Sequence, residues 1–98
     1  GYNRMVIGVC TLELQVPDAV SLKQKRQVIR SLVARLRQQH NVALAEIDHQ
    51  NSWQLATLAM VAVSNDLAYL QGLLQHAVDA VEKGRQGLVL LDYRIEIL

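Results

Sequence analysis

Residues 6–24 read V-I-G-V-C-T-L-E-L-Q-V-P-D-A-V-S-L-K-Q, and this stretch decides the fold. Cys10, Leu12, Leu14 and Val16 alternate with Thr11, Glu13 and Gln15, the period of two that marks a strand with one buried face. Pro17 and Asp18 end it. Ser21 and Gln24 have the spacing of a capping box, in which the Ser21 hydroxyl accepts the Gln24 amide, so a helix starts at Leu22. Leu22, Ile29, Leu32, Val33 and Leu36 then share one helical face, and the pattern fades at His40 and Asn41.

The rest of the chain completes the pattern. Val42 to Asp48 reads as a short strand, and the polar run His49 to Ser52 as a hairpin loop of about four residues. Trp53 to Ser64, rich in β-formers, is the next strand. Ser64, Asn65 and Asp66 offer caps for a second helix with Leu67, Leu70, Leu74, Ala77, Val78 and Val81 on its apolar face. Gly84 suits its C′ position. From Leu88 to Leu98 apolar and polar residues alternate again. The order βαββαβ is the split βαβ signature of an α+β, ferredoxin-like fold. It implies a four-stranded antiparallel sheet of order 4-1-3-2 with two helices on one face. Residues 5–98 form one domain, preceded by a short tip or cloning remnant at residues 1–4. This topology gathers Pro17 to Arg26, Asp48 to Trp53 and Lys83 to Gln86 at one end of the sheet. The face away from the helices is expected to carry Ile7, Val9 and Leu90 beside Glu13, Asp92, Arg94 and Glu96. That mixed face, or an edge strand, makes a homodimer the expected partner state.

Ten Lys+Arg against nine Asp+Glu give a net charge of +1, so the total does not announce a nucleic-acid or membrane-surface protein. The single cysteine, Cys10, excludes an internal disulfide, a CxxC redox pair and a Cys-clustered zinc site, and fits a reducing, cytoplasmic setting. No apolar run approaches the roughly 18 residues of a membrane span, so no membrane association is expected.

The distribution of charge says more. Six of the ten basic residues fall between Lys23 and Arg37, and no acidic residue occurs from Ala19 to Ala45. On the helical wheel Lys23, Arg26, Arg30 and Arg37 line one flank of the first helix, whereas Arg35 points to the other side. The plainer reading is a solvated face; the sharper one is a stripe that tracks phosphates, which needs only cations at one-turn intervals. Lys23, Lys25 and Arg26 stand in the first turns, where the helix dipole disfavours cations, and that local conflict favours an anion site. Lys25 falls within the apolar arc, close to the hairpin, where a salt bridge to Glu46 or Asp48 competes with a functional role. Asp48, His49, Gln50 and Trp53 concentrate polar groups and the lone tryptophan at the hairpin. Trp53 either packs on a helix or offers a stacking platform for a base or a partner. No metal site is expected there, because no second histidine lies nearby in sequence. No catalytic constellation and no cofactor motif emerges. The sparse aromatics argue against an RNA-recognition motif, and Val16 to Ser21 lacks the Gly-rich, Arg-bearing loop of an acylphosphatase-like site.

Ser21-Leu22-Lys23-Gln24-Lys25-Arg26 resembles the SLKxKR motif of the YlxP-like family, small bacterial proteins of unknown function. Met5 to Leu12, Ala45 to Gln50 with Trp53-Gln54, and the closing Leu91 to Tyr93 and Ile95 to Leu98 agree with it. Gln24 stands where many relatives carry Glu, which keeps the cap and makes this helix start more basic. The resemblance implies a ferredoxin-like, cytoplasmic protein, and an RNA or ribosome connection by genomic association alone. Together, residues and resemblance point to a non-enzymatic RNA- or ribosome-associated protein. A self-associating structural or protein-partner module is the alternative, and an enzyme or small-ligand sensor comes third.

Overall fold

The period-two pattern of the first strand and the capped amphipathic helix after it appear as expected in the computed structural model, which describes residues 4–84 and 87–98. The elements are β1 (Val6–Gln15), α1 (Leu22–Gln39), β2 (Ala43–Asp48), β3 (Leu55–Ser64), α2 (Leu67–Lys83) and β4 (Val89–Ile97). The strands form one sheet of order β2-β3-β1-β4, the expected order seen from the other edge, with every neighbouring pair antiparallel. Cys10, Leu12 and Leu14 of β1 and Leu58 and Met60 of β3 pack with Ile29, Leu32 and Leu36 of α1 and Leu70, Leu74 and Val78 of α2 into one core. Leu67, expected on that face of α2, is exposed at the first turn. α2 packs directly over Gly8 of β1, where a Cβ would lie 2.7 Å from Leu74 Cδ1.

The cap of α1 has the anticipated chemistry with one variation. Ser21 Oγ accepts the Gln24 N–H at 3.1 Å, and Gln24 Oε1 accepts the N–H of Val20 at 2.9 Å, one residue before the cap. At the other end of the fold, α2 begins with Asp66 Oδ1 accepting the Tyr69 N–H. It closes at Gly84 with φ −73°, so this glycine does not take the left-handed turn that the sequence suggests.

Two bulges change which residues face the core. Glu13 pairs with Asp92 but Leu14 pairs with Leu90, leaving Leu91 as an extra residue in β4. An inserted residue moves the following side chains to the opposite face. Leu90 therefore lies opposite buried Leu14 on the helix side, not on the open face, and Val89 takes the open-face position opposite Gln15. In β2, Ile47 is the extra residue between Glu46, opposite Leu58, and Asp48, opposite Thr57.

The open face carries cross-strand rows. Asp48, Thr57, Glu13 and Asp92 form one row across all four strands, and Ala45, Ala59, Thr11 and Arg94 the next. Thr57 Oγ1 donates to Glu13 Oε2 at 2.7 Å, while Asp92, directly opposite Glu13 on the other side, sets like charge against like.

Candidate functional site

The α1 start, the β2–β3 loop and the chain before β4 meet at one end of the sheet. Val16 N–H donates to Gln54 O at 2.7 Å, Gln54 Nε2 reaches Pro17 O at 3.3 Å, and Gly87 lines a small depression with Ala19, Gln24 and Val28. Of the expected Lys83 to Gln86 segment, Arg85 and Gln86 lie outside the described residues. The β2–β3 loop holds six residues, 49–54, not about four, because Ser52 Oγ accepts the N–H groups of Gln54 and Leu55 and keeps Trp53 and Gln54 out of the strand. His49 has φ 65°, a left-handed conformation uncommon for a non-glycine residue, and its N–H donates to Asp48 Oδ1 at 2.7 Å. That conformation presents the His49 carbonyl to α1.

Lys25 receives it. Its side chain is 0% exposed, with Nζ 2.8 Å from His49 O, 3.1 Å from Leu55 O and 3.4 Å from Glu46 Oε1. The candidate pairing with Glu46 is present and that with Asp48 is not. A fully buried ammonium cannot touch a phosphate, so Lys25 leaves the set of anion-binding residues and becomes the pin that holds the loop against the helix. Its position in the apolar arc was the signal for this.

The remaining cations stay at the surface. Lys23, Arg26, Arg30 and Arg37 are exposed and fall within an arc of about 60° on α1, given the 3.6-residue turn. Among the described residues the ion pairs are Lys25–Glu46 and Arg94–Glu96, so none of these four has an acidic partner. A groove of about 380 Å³ separates this flank from β2, with Arg30 and Arg37 on one wall and Ala45 and Glu46 on the other. Arg37 Nη2 crosses it to donate to Leu44 O at 2.9 Å.

Asp48, His49, Gln50 and Trp53 are all exposed on the loop beside the α1 start. Trp53 is 56% exposed, so a large part of its ring is open to solvent on the loop. Sequence reasoning missed two structural side chains. Gln54 bridges the loop to the β1–α1 connection through its contact with Pro17 O. Arg35 turns toward α2, with its Nη1 3.5 Å from where a Cβ on Gly84 would stand and near Ala80 O and Val81 O, at the negative end of that helix.

Cys10 lies buried in the central strand, and loss of hydration pushes its thiol up from the ordinary 9.0 to about 11. It is a core residue and not a poised nucleophile. Among the described residues no group of three His, Cys, Asp or Glu side chains is arranged to hold a metal ion, and no helix is long and apolar enough to cross a membrane.

A family model described as "Protein of unknown function (DUF503)" matches residues 7–95. The chain belongs to the DUF503 family. This DUF503 protein is 31% identical over 77 residues to the uncharacterized protein YlxP of Bacillus subtilis (strain 168), covering 79% of this chain and 84% of YlxP. The resemblance to the YlxP-like family read from the SLKQKR segment is therefore correct. The designed protein Foldit4 resembles the DUF503 chain in fold alone, with a TM-score of 0.52 at 8% identity over 96% of each chain.

Proposed function

We propose that this DUF503 protein is a non-enzymatic, cytoplasmic RNA-binding or ribosome-associated module that contacts phosphates through Lys23, Arg26, Arg30 and Arg37. One observation carries the reading: four exposed cations share one flank of α1, none with an acidic partner among the described residues. A solvated helix flank evolved for solubility alone normally interleaves charges of both signs. Trp53, exposed on the loop pinned at the same end by Lys25, supplies a face on which an unpaired base can stack.

Fluorescence anisotropy with a labelled single strand and a labelled duplex, each titrated at several salt concentrations, tests this. Affinity should fall steeply with salt. In the K23Q/R26Q/R30Q variant the log–log slope should shrink by about two to three, the loss of three phosphate contacts. Lys83→Gln, an exposed cation on the last turn of α2, should leave binding unchanged. Trp53→Ala should weaken the single strand more than the duplex. Salt-insensitive binding, or a triple variant that binds like the parent, overturns the proposal.

A further inference from the structure

β4 presents a long edge to solvent. Leu91, Tyr93 and Ile97 are 53%, 41% and 38% exposed along it. Tyr93 N–H is taken by the Asp92 carboxylate, Oδ1 at 2.9 Å, whereas Leu98 N–H turns inward to Ile7 O. By the alternation of an antiparallel strand, Tyr93, Ile95 and Ile97 direct their backbone groups outward. An unpaired edge of this length and apolar content is a template for another strand.

We propose that the outer edge of β4 pairs antiparallel with the same edge of a second copy, across a two-fold axis at Tyr93, joining two sheets into one. The charges select this register. Residues directly opposite share a face, so a two-fold axis falls on a residue and its position can be tried in turn. An axis at Asp92 sets Asp92 against itself. An axis at Arg94 sets Arg94 against itself and Asp92 against Glu96. An axis at Ile95 matches Arg94 with Glu96 but sets Asp92 opposite the uncharged Leu98 side chain, so that the acidic pair Asp92 forms with Glu13 stays unrelieved. An axis at Tyr93 opposes Asp92 with Arg94 twice and Leu91 with Ile95, and the paired stretch ends at the bulge.

The same register removes a conflict inside the subunit. Asp92 lies opposite Glu13 on the open face, and the subunit's own Arg94 is engaged with Glu96 at 2.7 Å. Arg94 of the second copy would stand directly across from Asp92, draw its carboxylate off the Tyr93 N–H and so free that amide for the pairing, and neutralise the acidic pair. Leu91 and Tyr93 would lose exposed apolar surface at the same time. The basic flank of α1 borders β2, at the opposite edge of the sheet, so this pairing and RNA binding are independent properties.

Sedimentation equilibrium tests the register. The parent chain should dimerise, and Asp92→Arg and Arg94→Asp should each weaken the dimer about ten- to a hundredfold by placing like charges opposite. An equimolar mixture of the two variants should pair as tightly as the parent, because every contact across the axis is then complementary. The double variant D92R/R94D should also recover dimerisation. Circular dichroism checks that each variant is folded. As a readout that needs no charge change, Tyr93→Cys should form an intermolecular disulfide on mild oxidation, because opposite Cα atoms of a hydrogen-bonded pair lie about 5.5 Å apart. Ile97→Cys should not, since the two copies of residue 97 stand at opposite ends of the paired strands. A parent chain that stays monomeric at hundreds of micromolar overturns the proposal. So does a dimer indifferent to both charge variants, which would place the contact on the open face or on β2.

Discussion

Replacing Lys25 by Met keeps the volume of the side chain in its buried slot and removes only the ammonium. Two backbone carbonyls, His49 O at 2.8 Å and Leu55 O at 3.1 Å, then lose a charged donor, and Glu46 loses its cation. A hydrogen bond to a charged group contributes about 1.5–3 kcal/mol, and breaking a buried charged contact typically costs about 3–5 kcal/mol. Against this, the substitution spares the desolvation of the ammonium and adds an apolar group to the core. The balance is a loss of about 3 kcal/mol. In a domain of this size that lowers the melting temperature by about 12–24 °C. Glu46→Gln behaves differently. Its side chain is 27% exposed and its oxygen is 3.4 Å from Nζ, long for a charge-assisted bond, so the loss should be about 1 kcal/mol or less. Urea titrations of both variants give the two values on one scale. If Glu46→Gln costs as much as Lys25→Met, the ion pair and not the carbonyls holds the loop. If Lys25→Met is neutral, the buried ammonium contributes nothing net, and Lys25 is not what pins the loop to α1.

Gly8→Ala should destabilise the fold by about 1–2 kcal/mol, because its new methyl group must push aside Leu74 Cδ1 at 2.7 Å, the flexible end of a side chain; thermal unfolding of the single variant measures it. Cys10 ties stability to alkaline pH. Its folded thiol ionises near 11 and the unfolded thiol near 9.0, so its contribution is complete below pH 9 and is lost as pH rises toward 11, at most about 1.4 kcal/mol per pH unit. Denaturant titrations from pH 8 to pH 10.5, roughly spanning that window, should show a decline that Cys10→Ala removes, and a thiol reagent should react only with unfolded chain.

The legible parts of this protein are those that depend on neighbours in sequence. The alternation from Cys10 to Val16 and the Ser21–Gln24 spacing are local, and the strand, the cap and the topology that follows from them appear as read. The wheel position of Lys25 was legible too, and it already competed with the functional reading that the structure removes. What escaped depends on pairing between distant segments. The place of Leu90 turns on one extra residue, Leu91, which a period-two count along β4 cannot register. The loop length turns on the Ser52 hydroxyl, which holds two amides that otherwise suit a strand, and so decides whether Trp53 is packed or exposed. Arg35 read only as a cation on the other side of α1, because nothing in the sequence of α1 shows that the carboxyl end of α2 lies beside it. The flank of Lys23, Arg26, Arg30 and Arg37 was fully visible in the sequence, since surface charge on a helix needs no tertiary partner to be placed.

The two edges of the sheet are treated unequally. β2 is short, kinked at Ile47, and has its Leu44 carbonyl covered by Arg37 from the adjoining helix. β4 is longer, and the guard it carries is local, its Tyr93 N–H held by the adjacent Asp92 carboxylate at 2.9 Å. Strand-to-strand association that runs on without limit requires each molecule to offer two receptive edges, one to receive and one to extend. A molecule with a single receptive edge terminates the chain reaction at its first step. By covering the Leu44 carbonyl with a guanidinium 2.9 Å away, Arg37 works against extension of the sheet from the β2 edge.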